Sequence, residues 1–275
     1  MTGEPLRTPT GEHVHVWAPR GEPRAAVVLQ HGLAEHAGRY VTDHGGIVGR
    51  LTGMGIAVYA MDLLGHGVSP GRRRVVDVRS AVRAHGAVRR EAGRLGVAVV
   101  AVGHSLGGLI TAGSVAADPG GLAGAVLLSP ALVRSLPAAA RLGALALGRV
   151  APALPARPIT DGPDALSRRT DVLERAAADP LMSGGAVPLR TGSTILQVSQ
   201  DVWRAAPRWT TPTLIAHGTA DRVTGYAHSA RLAALIGGAA TFVRVEGGHH
   251  ELLHDTDGEH TLATVLAWVD ARLEG

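Results

Sequence analysis

Ser105, Asp221 and His250 are the side chains of this 275-residue chain whose types and order suit nucleophilic catalysis. A serine hydroxyl is a weak nucleophile until an imidazole takes its proton, and the imidazole needs a carboxylate to fix its tautomer. Gly103-His104-Ser105-Leu106-Gly107 reads G-x-S-x-G. The glycines let a strand reverse sharply into a helix, with the serine strained at the apex and the helix N-terminus beneath it. Small-residue-rich sequences produce this pattern by chance, but here it has the context it needs. An apolar strand-like run, 97–102, precedes it and a helical pattern, 106–117, follows. Asp221 falls in a loop after the run 213–216. Alone it would read equally well as a turn former before a helix. His249 and His250 follow the run 241–245, one strand later, so acid and base both fall where an open sheet assembles a site. Two amides complete the set. The Leu33 N–H follows the strand 25–30, and the Leu106 N–H follows the serine; together they can hold a developing oxyanion.

The elements needed to hold these groups are legible as an alternation. Strand-like runs at 13–17, 25–30, 56–60, 97–102, 123–128, 213–216 and 241–245 are separated by helical patterns, notably 78–95, 106–117, 225–235 and 259–273. Continuous apolar strands between helices imply a mostly parallel sheet covered on both faces. The rhythm breaks between Ser129 and Thr211, where Ala, Leu and Arg segments are cut by prolines and no core strand is evident. A structureless loop of that length is improbable. The segment 132–205 is therefore expected to be a helical cap, inserted between strands 6 and 7, on a core formed by 1–131 and 206–275.

Four segments together resemble the monoacylglycerol lipase family of α/β-hydrolases. They are the H-G-x-x-E-H-x-x-R-Y run from His31 to Tyr40, the Asp62–Gly71 loop containing Gly65-His66-Gly67, the elbow Gly103–Gly108, and His250-Glu251-Leu252-Leu253. The likeness spans about 10–272 and is loosest in the cap. It implies an α/β-hydrolase fold and a serine esterase that cleaves monoacylglycerol to glycerol and fatty acid through an acyl-enzyme, without cofactor or metal. Its nucleophile, acid and base fall on Ser105, Asp221 and His250, and its oxyanion donors on Leu33 and Leu106. A lysophospholipase, a short-chain carboxylesterase or a peptidase of the same fold are the alternatives. A non-enzymatic ligand-binding version would need a lost triad member. Asp62 is expected to anchor its own loop, and Glu35, His36 and Arg39 to brace the oxyanion loop. The second histidine, His249, departs from the family pattern.

Composition narrows the remainder. With no cysteine there is no disulfide framework, thiolate metal site or cysteine nucleophile. All 27 Lys/Arg cations are arginine, so the pI near 10.5 reflects the absence of lysine as much as the net charge of +4. The one dense cluster, Arg72-Arg73-Arg74, with only 3% aromatics to stack bases, does not make a nucleic-acid surface. No H-E-x-x-H, P-loop or dinucleotide fingerprint occurs. The first twenty residues lack an apolar segment, which points to the cytoplasm. Leu132, Leu136, Leu142, Leu145, Leu147 and Leu154, with Arg134, Arg141 and Arg149 among them, suit a roof over an acyl chain and transient contact with a membrane surface.

Overall fold

The computed structural model describes residues 6–158 and 162–273. Among them, seven strands form one sheet: β1 (Val14–Trp17), β2 (Ala25–Gln30), β3 (Ile56–Met61), β4 (Ala98–His104), β5 (Gly124–Leu128), β8 (Thr213–Gly218) and β9 (Ala240–Val245). Their order is β1-β3-β2-β4-β5-β8-β9, with β1 antiparallel to β3 and every other pair parallel. A second, two-stranded sheet pairs β6 (Pro155–Pro158) with β7 (Ala186–Pro188). The longer helices are α3 (Val78–Gly93), α4 (Leu106–Ala117), α5 (Ala138–Val150), α7 (Leu189–Ala205), α8 (Tyr226–Ile236) and α9 (Gly258–Ala271); α1 (Arg39–Thr42), α2 (Ile47–Gly53) and α6 (Thr170–Ala178) are shorter.

The interior strands are mostly apolar because both faces are covered, with Gln30, His104, Thr213 and His217 near their ends. Along β2, Ala26 and Val28 join a layer that also holds α3, α4 and part of α7. Ala25, Val27 and Leu29 join the opposite layer with α2 and α9. Each fully buried Val or Leu contributes roughly 1.5–3 kcal/mol, so these two layers dominate the stability. The middle strand is β4, whose register with β2 pairs Gln30 with Gly103, so both loops emerge at the same sheet edge. Helix α4 then packs tightly against the sheet. A β-carbon at Gly107 would collide with the Gln30 carbonyl, so only glycine lets this helix start where it does.

Two expectations change. The insertion follows the fifth strand of the sheet along the chain, rather than lying between strands 6 and 7. The seven strand-like runs themselves put five ahead of it, and before β1 the described residues add only an isolated bridge between Arg7 and His13. The stretch expected to be helical also contains the β6–β7 pair. Within the same segment α7 packs onto the core, with Val198 and Val202 buried beside α4.

Candidate active site

The end of β4 delivers Ser105 in a conformation that side chains rarely adopt, φ 53° and ψ −119°. Main-chain bonds hold it there: its N–H donates to the Leu128 carbonyl at 2.9 Å, and its own carbonyl accepts from Ala131 at 2.9 Å. Such strain persists only where surrounding structure over-determines it, and it clusters at reactive positions. No side chain caps α4, whose first amides point back at the serine.

Asp221 and His250 come together from two loops at the same edge. His250 Nδ1 lies 2.8 Å from Asp221 Oδ2, and both side chains are buried. The carboxylate is fully engaged. Oδ1 accepts the amides of Val223 and Thr224 at 2.7 and 2.9 Å, and Oδ2 accepts the Thr224 hydroxyl at 2.8 Å. His217 Nε2 is 3.1 Å from that same Oδ2. Burial alone would raise this carboxyl, but His250 and His217 hold it well below the usual carboxylate range. His217 carried no assigned role in the sequence. It lies near the end of β8, and Ser229 Oγ at 2.7 Å from its Nδ1 fixes the ring beside the aspartate. His249, by contrast, faces away: its Nδ1 lies 2.7 Å from the Asp164 carbonyl.

The turn after β2 is fastened on both sides of Leu33. The Gly32 N–H donates to Glu35 Oε1 at 2.6 Å, and the Ala34 N–H donates to His66 Nε2 at 3.0 Å, which orients the Leu33 peptide between them. A β-carbon at Gly32 would lie 3.1 Å from Ser105 Cβ and 2.8 Å from Glu35 Oε1; only glycine brings this turn so close. Asp62 anchors its loop, accepting the Ala37 and Val68 amides at 2.8 and 3.0 Å. His36 reaches out to Asp179 at 2.8 Å, tying the turn to the chain beyond α6, and the Ser183 N–H donates to the Ala34 carbonyl at 3.0 Å.

Beneath the site lies a buried polar layer. Arg39 donates to Glu35 at 3.1 Å and to both oxygens of Glu251 at 3.0 and 3.2 Å. His44 stacks between Tyr40 and His254, with centroids 4.1 and 3.9 Å away. Glu35, His44 and His104, and likewise His44, Glu251 and His254, bring ligand-type atoms within 4.8 Å of each other. The Arg39 guanidinium already stands as cation to both carboxylates, so a metal ion would have to share them with a fixed positive charge.

Two cavities meet at Ser105. One, of about 330 Å³, is lined by Leu33, Ser105, Leu166, Leu173, Met182 and His250. The other, of about 430 Å³, is lined by Ser105, Leu106, Leu132, Val187, Ile195 and Leu196, and is mostly apolar.

Several buried imidazoles are neutral, which sets an acid limit on the fold. Burial first, with a neighbouring imidazole second at His44 and His66 and Arg89 second at His85, pushes these three down to about 3, and burial lowers His31 in spite of Asp62. The unfolded chain protonates these rings near 6.5, so below that value it binds more protons than the native state. Each ring then costs about 1.4 kcal/mol per pH unit until its folded value is reached. Stability is expected to fall steeply below about pH 6 and to vanish near pH 4–5, given an ordinary total of about 5–15 kcal/mol. Circular dichroism against pH checks this, together with proton uptake on unfolding. A melting temperature that is flat down to pH 4 would mean that these rings are charged in the native state.

A strained serine ending the middle strand of a parallel sheet, with a paired aspartate and histidine on later loops, defines the serine α/β-hydrolase class. The family described as serine aminopeptidase, S33, matches residues 21–257. The chain is 32% identical to the monoacylglycerol lipase of Mycolicibacterium smegmatis over 273 residues, 94% of this chain and 92% of that one. It is 32% identical to human monoglyceride lipase, covering 93% of this chain and 86% of that one. The crystal structure of Paleococcus ferrophilus monoacylglycerol lipase superposes with a TM-score of 0.83 at 32% identity, covering 95% of this chain and 99% of that chain. The chain belongs to the monoacylglycerol lipase family of α/β-hydrolases.

Proposed function

We propose that this serine hydrolase cleaves monoacylglycerol into glycerol and a fatty acid, with Ser105 as nucleophile, His250 as general base and Asp221 as orienting acid. His250 draws the proton from Ser105 Oγ as the oxygen attacks the ester carbonyl. The Leu33 and Leu106 amides take the developing negative charge. As the tetrahedral adduct collapses, His250 returns its proton to the glycerol oxygen. Water then cleaves the acyl-serine by the same relay. The preference for one acyl chain and a small alcohol rests on the two cavities meeting at Ser105. The larger suits the chain, along Leu132, Val187, Ile195 and Leu196; the smaller, where Glu35, Ser183 and Glu251 join Leu173 and Met182 in the lining, suits the alcohol. A peptidase that reads a free amino terminus needs an unspent carboxylate. Glu35 and Glu251 line the smaller cavity, but Arg39 and the surrounding histidines already engage them. A hydrolysis panel tests the substrate: medium- and long-chain monoacylglycerols should outpace triacylglycerols, lysophospholipids and short nitrophenyl esters in kcat/KM. A panel led by lysophospholipid would reassign the substrate within the same chemistry.

The segment 132–205 is, in this reading, a cap that roofs the acyl cavity and touches lipid surfaces transiently. Leu132 is buried under it, whereas Leu142, Leu147, Val150 and Leu154 are 52–85% exposed, with Arg134 and Arg149 exposed nearby. Leu145 is half-buried and so is a poorer probe than its neighbours. Among the described residues no helix is long and apolar enough to cross a membrane. Leu142→Glu with Val150→Glu should weaken sedimentation with anionic vesicles and raise KM for monoacylglycerol several-fold, while sparing a short soluble ester. If the double variant treats both substrates alike and wild type does not sediment, the cap is only a lid.

A further inference from the structure

His104 precedes the nucleophile in sequence, and no step of the reaction above uses its side chain. Its ring is buried, with Nδ1 3.1 Å from Glu35 Oε1 and Nε2 3.3 Å from the main-chain carbonyl of His250. A peptide carbonyl only accepts. Glu35 is likewise held as an acceptor: the Gly32 N–H at 2.6 Å, Tyr40 Oη at 3.0 Å, Arg39 at 3.1 Å and His44 at 3.2 Å all donate to it. A neutral imidazole has one bare nitrogen, which at this position would face an acceptor. His31 and His66 show the neutral arrangement instead. Each has one nitrogen accepting an amide (Leu63 and Ala34) and the other donating to a carbonyl (Gly32 and Leu64).

We propose that His104 is a positioning residue that stands beneath the site as an imidazolium, its two N–H groups spent on the Glu35 carboxylate and the His250 carbonyl. The charge balance of the layer agrees. Glu35 and Glu251 carry two negative charges and Arg39 one positive, while Asp43, 3.6 Å from Arg39 Nε, has its own cation in Arg175 at 2.9 Å. The groups facing His104 are Glu35 from the oxyanion turn, His44 at 5.5 Å between centroids, and from the base loop the His250 ring at 4.8 Å and Glu251. Burial works against a charge here, but the Glu35 bond and the two carboxylates raise His104 above the ordinary imidazole value. One ring thereby ties together the strand end that carries the nucleophile, the turn that carries the Leu33 amide, and the loop that carries the base.

The proposal rests on His250 being that base, and its test separates the two. In the full-length protein, long-range proton–nitrogen correlation of the imidazoles at about pH 8 should show His104 with both ring nitrogens protonated, well above the ordinary range. Loss of that signal in His104→Asn makes the assignment. One bare nitrogen at His104 overturns the proposal, whatever the activity. In kinetics, His104→Asn should lower kcat about 10²-fold through misplacement of the base. It should also move the acid limb of kcat/KM to higher pH, because removing a positive charge beside His250 lets the inactivating proton bind more readily. A fall in kcat with an unmoved acid limb would assign His104 a packing role only. Failure of the base assignment would show in alanine variants at His250 and leave the nitrogen spectrum untouched.

Discussion

A Ser105→Ala variant is expected to hydrolyse its ester about 10⁶-fold more slowly than wild type, because a dismantled nucleophile–base pair leaves only binding and oxyanion contacts. The fold should not notice. The bonds that fix this residue run through its main chain, to Leu128, Leu109 and Ala131, and survive loss of the hydroxyl. Alanine meets the same positive φ of 53° that serine does, so the strain is already present in wild type. Stability within about 0.5 kcal/mol follows. The complementary result is covalent: a fluorophosphonate should add one phosphonyl group per chain, located on Ser105 by mass spectrometry and absent from the variant. A label on another residue, or a variant that keeps its rate, would remove the nucleophile assigned here.

That elbow was legible because its requirements are local. A strand, a glycine before the apex, a glycine after it and a helix are all contiguous in sequence, and α4 begins and ends where the pattern places it. The strands were legible for a similar reason, since burial on both faces writes them as unbroken apolar runs. The β6–β7 pair was not. Prolines at 155, 158 and 188 argue against a ladder, and the pairing exists only because this is a two-stranded edge on both sides. The polar layer under the site was least visible. Arg39 and Glu251 stand 212 residues apart, and the Glu35–His104 pair 69 apart. Nothing in local spacing marks His44 or His254 as members. A buried histidine and an exposed one look the same in a sequence; only the fold decides which becomes a donor. The motif residues Glu35 and Arg39 did signal a brace, and the rest of it was supplied by topology.

The adjacent histidines give the sharpest remaining contrast. His250→Ala should approach the loss seen for Ser105→Ala, about 10⁶-fold in kcat, since nucleophile and base act as one unit. His249→Ala should leave the rate within a few-fold. Its side chain makes one partly exposed bond, to the Asp164 carbonyl, worth about 0.5–1.5 kcal/mol of stability. Its N–H bond to Asp255 is main chain and persists in the variant. The assignment turns on orientation rather than on proximity in sequence. Consecutive residues point their side chains to different sides of the chain, and only His250 turns inward to Asp221, at 2.8 Å. With Nδ1 committed to that carboxylate, its Nε2 is the nitrogen left to take the serine proton. Asp221→Asn should then cost about 10⁴-fold by favouring the wrong tautomer. His217 beside the same oxygen does not rescue it, because its own Nδ1 is occupied by Ser229. Rates for the three variants on one soluble ester decide the matter. If His249→Ala were the severe variant, the loop after β9 would have to present the other ring to Asp221, and the base would move by one residue.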